Sequence, residues 1–353
     1  MLAQLSSRSF RNLEETQWQP GGGCHLVLGP NGAGKTSLLE AVYVLSTTRS
    51  FRTAQILDCR QHGEAEFHLQ AEVETDQRTQ LSVGLNGSGR YRSVNDSATS
   101  LVEHLRVLPV VAWTAAESSL LIGPPAGRRR FLDQGIVGAH PGALEVLARY
   151  RRALGQKKEL LFRGGPGLSS WNGVMAQEAS QLMVLRRDYV RQIGEALDQI
   201  VSLLGIDLPP IQLTYRPSIE GKYEDPTEVF DALDAIRDQE RIESRSLLGP
   251  HRDELEIRWG EHLIKRVGSA GERKILGLVI SAARGRVLTS EGRSPTYLLD
   301  DVDSELDGRR LGAIWEVFSD AKQLLVSSNR EALWSIAPEA WRWHLETGHL
   351  KSE

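Results

Sequence analysis

The sequence predicts an α/β protein with a long helical stretch set into it. Three observations lead there. A short apolar run, His25-Leu26-Val27-Leu28, enters the Gly-rich stretch Gly29-Pro30-Asn31-Gly32-Ala33-Gly34-Lys35-Thr36, and an apolar stripe at Leu38, Leu39, Val42 and Leu45 leaves it. Far downstream, Tyr297-Leu298-Leu299 ends in the paired acids Asp300-Asp301. Between the two, from Arg128 to Leu204, the apolar residues recur mostly at helical spacing.

The chain-level numbers restrict the possibilities. With 353 residues there is room for two domains and a sizeable core. An apolar fraction of 40% and a charged fraction of 25% are ordinary for a soluble globular protein. A net charge of −4 offers no global field for nucleic acid, so any such contact must use a local patch. Cys24 and Cys59 do not form a C-x-x-C pair, which suggests a reducing compartment and two small buried hydrophobes. No apolar run is long enough to span a membrane, and Met1 to Leu5 lacks the regions of a signal peptide. A cytoplasmic protein is expected.

Leu2 to Leu5 reads as a strand, followed by a turn at Phe10-Arg11-Asn12-Leu13. Phe10, Arg11 and Asn12 either wall an adenine site or simply end the strand. The Gly-rich stretch then fits G-x-x-x-x-G-K-[ST], the P-loop, with a strand before it and a helix after. Gly29, Gly32 and Gly34 can take backbone angles closed to other residues. They let successive N–H groups turn toward a polyphosphate at the positive end of a helix. Asn31, Gly32, Ala33, Gly34, Lys35, Thr36 and Ser37 are the phosphate-binding set. Lys35 would reach the β- and γ-phosphates of ATP, and Thr36 would offer its hydroxyl to Mg²⁺.

A polar, basic loop follows at Thr48 to Thr53. Glu66–Val73 and Thr79–Leu85 alternate as strands, Asn86-Gly87 opens a turn, and Tyr91 to Val94 returns. These make a β-rich flap. Leu108 to Trp113 is a further buried strand.

The texture changes near Gly123-Pro124-Pro125. One helix is expected from Arg128 to about Phe162, a break at Gly164-Gly165-Pro166-Gly167, and a second helix from Ser170 to Leu204. Ile193, Leu197, Ile200, Val201 and Leu204 recur as a helix–helix seam. Arg128 to Arg191 holds twelve Lys/Arg and five Asp/Glu, while Gln192 to Arg245 holds five and twelve. Arg128, Arg129, Arg151, Arg152, Lys157 and Lys158 are therefore candidates for a stripe contacting DNA phosphates. A solvated face whose charges pair with the acidic half is the other reading. Past Pro209-Pro210, a strand at Ile211–Tyr215, a charged helix at Asp231–Glu243, a tight turn at Gly249–Asp253 and a strand at Leu255–Trp259 return the chain to an α/β texture.

The second half of the nucleotide site lies near the end of the chain. Asp300 is assigned to the metal shell and Asp301 to orienting or deprotonating the attacking water, the Walker B arrangement. Upstream, Gly268-Ser269-Ala270-Gly271-Glu272 opens a helix carrying Leu276, Val279, Ile280 and Ala283 on one face. It is either an ordinary N-cap or a second anion site, with Ser269 and Gly271 as its contacts. Asp303 to Asp307 follows the acids, and Gln323-Leu324-Leu325-Val326 reads as one more core strand ending at Ser327-Ser328-Asn329. Ser328 or Asn329 is a candidate contact for the γ-phosphate or its water.

With these residues in place the chain resembles the RecF family, bacterial recombination mediators of the ABC/SMC ATPase group. The stretches that carry the likeness are Phe10-Arg11-Asn12, Gly29 to Thr36, Gly123-Pro124-Pro125 with Gly127-Arg128-Arg129, Gly249 to Asp253, Ser269-Ala270-Gly271-Glu272, and Leu299-Asp300-Asp301 with Ser304-Glu305-Leu306-Asp307. They span nearly the whole length in the family's order. Three features depart from its pattern: Glu272 stands where a glutamine is common, Val302-Asp303 follows the acids, and Ser328-Asn329 replaces a threonine-containing end.

The resemblance implies an ABC/SMC-type P-loop ATPase head with a β-rich flap and an inserted helical arm domain. The head is expected from 1–115 and 246–353, the arm from 116–245. It also implies a weak DNA-dependent ATPase that forms an ATP-dependent homodimer. Each nucleotide would be held between one copy's P-loop and the other's Ser269 turn, which makes Lys35, Asp301 and Ser269 the catalytic set. The implied partners are single-strand/double-strand DNA junctions and RecR, with RecO through it, in loading recombinase at stalled forks. Two other classes share some of these residues. An ABC transport subunit would usually carry a switch histidine near Ser328, and none is there. An SMC scaffold would need sustained heptads, which the insert lacks.

Overall fold

The computed structural model describes residues 1–75, 77–164, 166–204, 209–264 and 268–352. Gly165, in the predicted helical break, lies outside the described residues. In chain order the elements are β1 (Leu2–Arg8), β2 (Thr16–Trp18), β3 (Gly23–Leu28), α1 (Lys35–Thr47), β4 (Phe67–Glu74), β5 (Arg78–Asn86), β6 (Gly89–Val94), β7 (Ser97–Ala98), α2 (Leu101–Val107), β8 (Val110–Trp113) and α3 (Ser118–Ile122). Then come α4 (Pro125–Ala139), α5 (Ala143–Arg163), α6 (Leu168–Leu203), β9 (Ile211–Arg216), α7 (Pro226–Ala235), α8 (Arg237–Glu243), β10 (Glu254–Trp259) and β11 (His262–Leu263). The last are α9 (Ala270–Ser290), β12 (Thr296–Leu299), α10 (Gly308–Val317), β13 (Gln323–Ser328), β14 (Trp341–Glu346) and β15 (His349–Ser352). The chain divides into two compact units. The first holds Met1–Ser118, Ala196–Leu208 and Gly268–Glu353; the second holds Ser119–Glu195 and Pro209–Val267.

The first unit is layered around α1. Five parallel strands run in the order β14-β3-β13-β12-β8, with β15 antiparallel at the edge. A separate antiparallel sheet has the order β2-β1-β4-β5-β6-β7 and is the predicted flap. Helix α1 lies between the two sheets, with nine of its thirteen residues buried. Leu38, Leu39, Val42 and Leu45 share one core with Leu5, Leu69 and Val83 of the flap and with Val27, Leu298 and Leu325 of the parallel sheet. Each such side chain contributes roughly 1.5–3 kcal/mol on burial.

Helix α9 covers the opposite face of the parallel sheet. Along β8 and β12, side chains alternate between faces: Ala112 and Leu298 join the α1 core, whereas Trp113 and Tyr297 meet α9. A Cβ on Gly277 would come 1.9 Å from the Trp113 ring, so only glycine lets the helix approach that closely.

In the second unit, the single helix expected from Arg128 to about Phe162 is two helices, α4 and α5. Pro141 lacks the N–H a helix needs and drives His140 to φ −128°, ψ 87°. The helix expected at Asp231–Glu243 is likewise two. It starts earlier, at Pro226, where Asp225 accepts the N–H of Thr227 (2.8 Å), and breaks at Ile236 (φ −98°, ψ 6°). Strands β11-β10-β9 form an antiparallel sheet.

Residues 246–267, which the sequence reading placed with the head, group with this second unit. The cause is the Gly249–Asp253 turn. Buried Asp253 accepts from Arg186 Nη1 (2.9 Å), from the Ser218 N–H (2.8 Å) and from the Tyr215 hydroxyl, and β10 then pairs with β9. These bonds tie the turn to α6 and β9.

Candidate nucleotide site

The P-loop strand β3 and the acid-bearing strand β12 are not neighbours. Strand β13 runs between them, parallel to both. All three end at the same edge, so the loops after them converge: Gly29–Thr36 after β3, Asp300-Asp301 after β12, and Asn329 after β13.

Helix α1 begins at Lys35 with Gly34 as N-cap (φ 114°), and no side chain caps it. The N–H groups of its first turn are therefore left without a side-chain acceptor. Gly29 is pinned by a close approach. Its φ is 149°, and a Cβ there would sit 2.2 Å from the Leu345 carbonyl of β14. Lys35 Nζ donates to the carbonyls of Gly29 (2.7 Å) and Pro30 (2.9 Å). Burial pulls its pKa below the ordinary lysine value, with Asp301, Asp300 and Asp303 acting the other way.

The Thr36 hydroxyl donates to the Asp300 carboxylate, whose oxygens lie at 2.9 and 3.1 Å. Ser327 Oγ donates to the same carboxylate at 2.6 Å. Burial pushes the Asp300 pKa up, the two hydroxyls pull it down, and neighbouring Asp301 adds to the rise. Hydroxyl and carboxylate are hard oxygen donors. With phosphate oxygens and water, that set suits Mg²⁺. Asp301 is exposed and adopts φ 52°, a left-handed conformation unusual for a residue with a side chain.

The strand-end serines separate by pleat. Ser327 turns to Asp300, while Ser328, fully buried, donates to Asp303 Oδ2 (2.6 Å). Ser328 is therefore not a contact for a nucleotide; Ser327 is the member of the pair at the site. Asn329 Nδ2 donates to Asn31 Oδ1 of the P-loop at 2.9 Å. The sequence reading offered Ser328 or Asn329 and did not include Ser327; that neighbouring strand residues face opposite sides was the signal that separates the two serines.

Arg11 and Asn12 brace the site from outside. Asn12 Nδ2 donates to the Gly32 carbonyl (2.9 Å), and Ser37 Oγ donates to Asn12 Oδ1 (2.7 Å). Arg11 forks onto the buried Glu40 of α1 at 2.9 and 2.7 Å. Ala33 accepts the Gly348 N–H at 2.9 Å.

Ser269 is the N-cap of α9. Its hydroxyl accepts the Glu272 N–H (3.3 Å), and Glu272 Oε2 accepts the Ser269 N–H (2.6 Å), a capping box. Ser269 and Ala270 are exposed, whereas Gly271 is buried. From the next turn of α9, Lys274 reaches the loop after β12, a contact the sequence reading did not include.

The basic candidates in the second unit fall into two groups. Arg128 is buried and forks onto Glu254 at 2.6 and 2.8 Å. Lys157 is fully buried and pairs with equally buried Glu240 at 2.6 Å. A side chain so enclosed cannot meet a DNA phosphate, so these two leave the candidate set. Arg129 donates to the Asp253 carbonyl (3.0 Å), and Arg151 pairs with Asp133 (3.0 Å) while staying 55% exposed. Arg152 and Lys158 are exposed.

Known proteins are similar to this chain in sequence and in fold. The family model described as the RecF/RecN/SMC N-terminal domain matches residues 1–350. The protein of Prosthecochloris aestuarii described as DNA replication and repair protein RecF is 29% identical over 348 residues, covering 94% of each chain. The Streptomyces avermitilis protein of the same description is 30% identical over 346 residues, covering 93% of each. A solved structure of the recombination mediator protein RecF-ATP in the RecFOR pathway superposes with a TM-score of 0.88 at 21% identity, covering 100% of this chain and 97% of the other. An Smc head bound to the C-winged helix domain of ScpA superposes at 0.58 and 14% identity, covering 100% of this chain and 96% of the other. At those identities the two structures speak to the fold alone.

Proposed function

Because the chain belongs to the family of the RecF/RecN/SMC N-terminal domain, and within it to the RecF proteins, we propose that it is an ATP-dependent DNA-binding mediator of replication and repair. ATP closes two copies head to head on DNA, and slow hydrolysis reopens them. The observation that carries the reading is the hydrogen bond from Thr36 to Asp300, which joins the P-loop helix to the acid-bearing strand at an uncapped helix N-terminus. The family match sets aside the transport-subunit alternative.

The residues divide the work as follows. The N–H groups of the Gly29–Thr36 loop and the Lys35 ammonium bind and orient the β- and γ-phosphates. Thr36 and Asp300 would hold Mg²⁺, which when bound supplies neutralising charge to the phosphate oxygens. Asp301 accepts the proton of the attacking water. Asn329, fixed to Asn31 of the loop, would contact the γ-phosphate or its water. Ser269 and the N–H groups of α9 engage the γ-phosphate held by a second copy, so ATP favours the closed pair. The exposed pair Arg152 and Lys158, or the ATPase head itself, meets the DNA backbone. Single-strand/double-strand junctions as target, RecR with RecO as partners, and recombinase loading in the damage (SOS) response belong to the same proposal. They rest on the resemblance to the RecF family rather than on any one contact.

Sedimentation velocity with and without ATP and Mg²⁺, on junction DNA, tests it. The expected result is a monomer that becomes a dimer only with nucleotide. Ser269→Arg should bind ATP as tightly as the parent yet stay monomeric; a loss of ATP affinity in that variant would contradict the across-copy role.

A further inference from the structure

Lys274 sits just over one turn into α9, beyond the Ser269 turn. Its ammonium leaves its own helix and enters the loop after β12. Nζ donates to the Asp301 carbonyl at 2.6 Å and to the Ser304 carbonyl at 2.8 Å, and it also donates to Ser304 Oγ. Ser304 Oγ in turn donates to the Asp301 carbonyl at 3.0 Å. The three N–H bonds of the ammonium are matched by three acceptors, and all of them converge on the backbone of Asp301 and the residue three places on. An ammonium has three donors and no acceptor, so nothing is left over for a ligand.

Asp301 needs such a hold. Its φ of 52° is a left-handed conformation that a residue with a side chain adopts at a cost, and Glu305 in the same loop has φ 67°. The Asp301 N–H donates to Ser327 Oγ at 2.9 Å. The peptide groups on both sides of the Asp301 Cα are therefore fixed, one by Ser327 and one by Lys274 with Ser304, while the carboxylate itself is free of structural partners among the described residues and exposed. Burial lowers the pKa of the Lys274 ammonium, and the surrounding acids, Asp301, Glu305, Asp303 and Asp300, oppose that fall.

We propose that Lys274 is a positioning residue for ATP hydrolysis: it holds the Asp301 backbone so that the carboxylate meets the attacking water, and it makes that placement depend on the helix that begins at Ser269. The inference rests on the reading of Asp301 as the acid that takes the water's proton. The Lys274 ammonium spends its donors on Asp301 and Ser304, so its removal lowers turnover and leaves nucleotide affinity alone. A misplaced catalytic group of this kind costs on the order of 10- to 100-fold in rate.

The test compares Lys274→Met, Ser304→Ala and Asp301→Asn in the full-length chain, reading fluorescent-ATP affinity, kcat and KM for ATP on DNA, and the thermal midpoint. Lys274→Met should lower kcat at least tenfold, with ATP affinity and KM within about twofold of the parent. Ser304→Ala should lower kcat less. The double variant should be no slower than Lys274→Met alone, because both changes release the same carbonyl. Asp301→Asn tests the underlying reading: normal turnover there would sink the role of the acid itself. A dead Asp301→Asn beside a Lys274→Met whose kcat is within twofold of the parent would overturn the inference alone. So would a Lys274→Met whose ATP affinity and thermal midpoint fall in step with its turnover, since Lys274 would then support the fold rather than the acid.

Discussion

Thr36 and Asp300 lie 264 positions apart in the chain, and the hydroxyl of one donates to the carboxylate of the other at 2.9 Å. Strand β13 separates the strands that lead into them, and its Ser327 bonds the same carboxylate. The contact draws the two halves of the candidate nucleotide site into one place.

Lys35→Ala removes the only cation that the P-loop itself brings to the β- and γ-phosphates. ATP affinity should fall at least 100-fold, measured with a fluorescent analogue, and light scattering should detect no dimer with ATP. Normal dimerisation of that variant would refute the loop's role.

Asp300→Asn should separate stability from function. The carboxyl's folded pKa is raised, so the native state holds its proton more tightly than the unfolded chain does. Its contribution to stability is therefore full below the ordinary carboxylate pKa and is lost as pH rises through the elevated one. At pH 7 the buried charge is a cost to the nucleotide-free protein. The amide should raise that form's thermal midpoint by roughly 2 °C while abolishing the further rise that ATP with Mg²⁺ gives the parent. Scanning fluorimetry at pH 5 and pH 7 checks both parts, and the parent's Mg²⁺-dependent rise should shrink at pH 5.

Gly29→Ala meets the Leu345 carbonyl at 2.2 Å and keeps a φ that alanine tolerates poorly. It should lose about 3 kcal/mol in urea unfolding. A loss under about 1 kcal/mol would mean that β14 can move away.

Reversing charge at Arg152 and Lys158 should weaken DNA binding and reduce the salt slope by about 2. Lys157→Met, in the same helix, should leave that slope alone. It strands Glu240 in the interior and should cost about 3–5 kcal/mol of stability. Replacing both partners with apolar residues should recover most of it. An altered salt slope in Lys157→Met would contradict its burial.

The sequence by itself determined the elements that build the candidate nucleotide site. The P-loop, its flanking strand and helix, the paired acids, the flap hairpin and the strand at Gln323 are local patterns, and period, turn chemistry and spacing are enough to read them. What it left open depended on residues distant in the chain. The breaks at Pro141 and Ile236 were missed because apolar spacing runs across them, although Pro141 was itself a signal. The β14–β15 hairpin, whose Leu345 pins Gly29, was missed although Trp341, Trp343 and Leu345 alternate with Arg342, His344 and Glu346 ahead of Thr347-Gly348. Only tertiary structure could tell Arg128 and Lys157, enclosed with Glu254 and Glu240, from Arg152 and Lys158 in solvent, since charge in a sequence carries no burial. The same is true of Lys274. Its role comes from where α9 passes the loop after β12, and a long side chain's partner is fixed by packing, not by its neighbours in the chain.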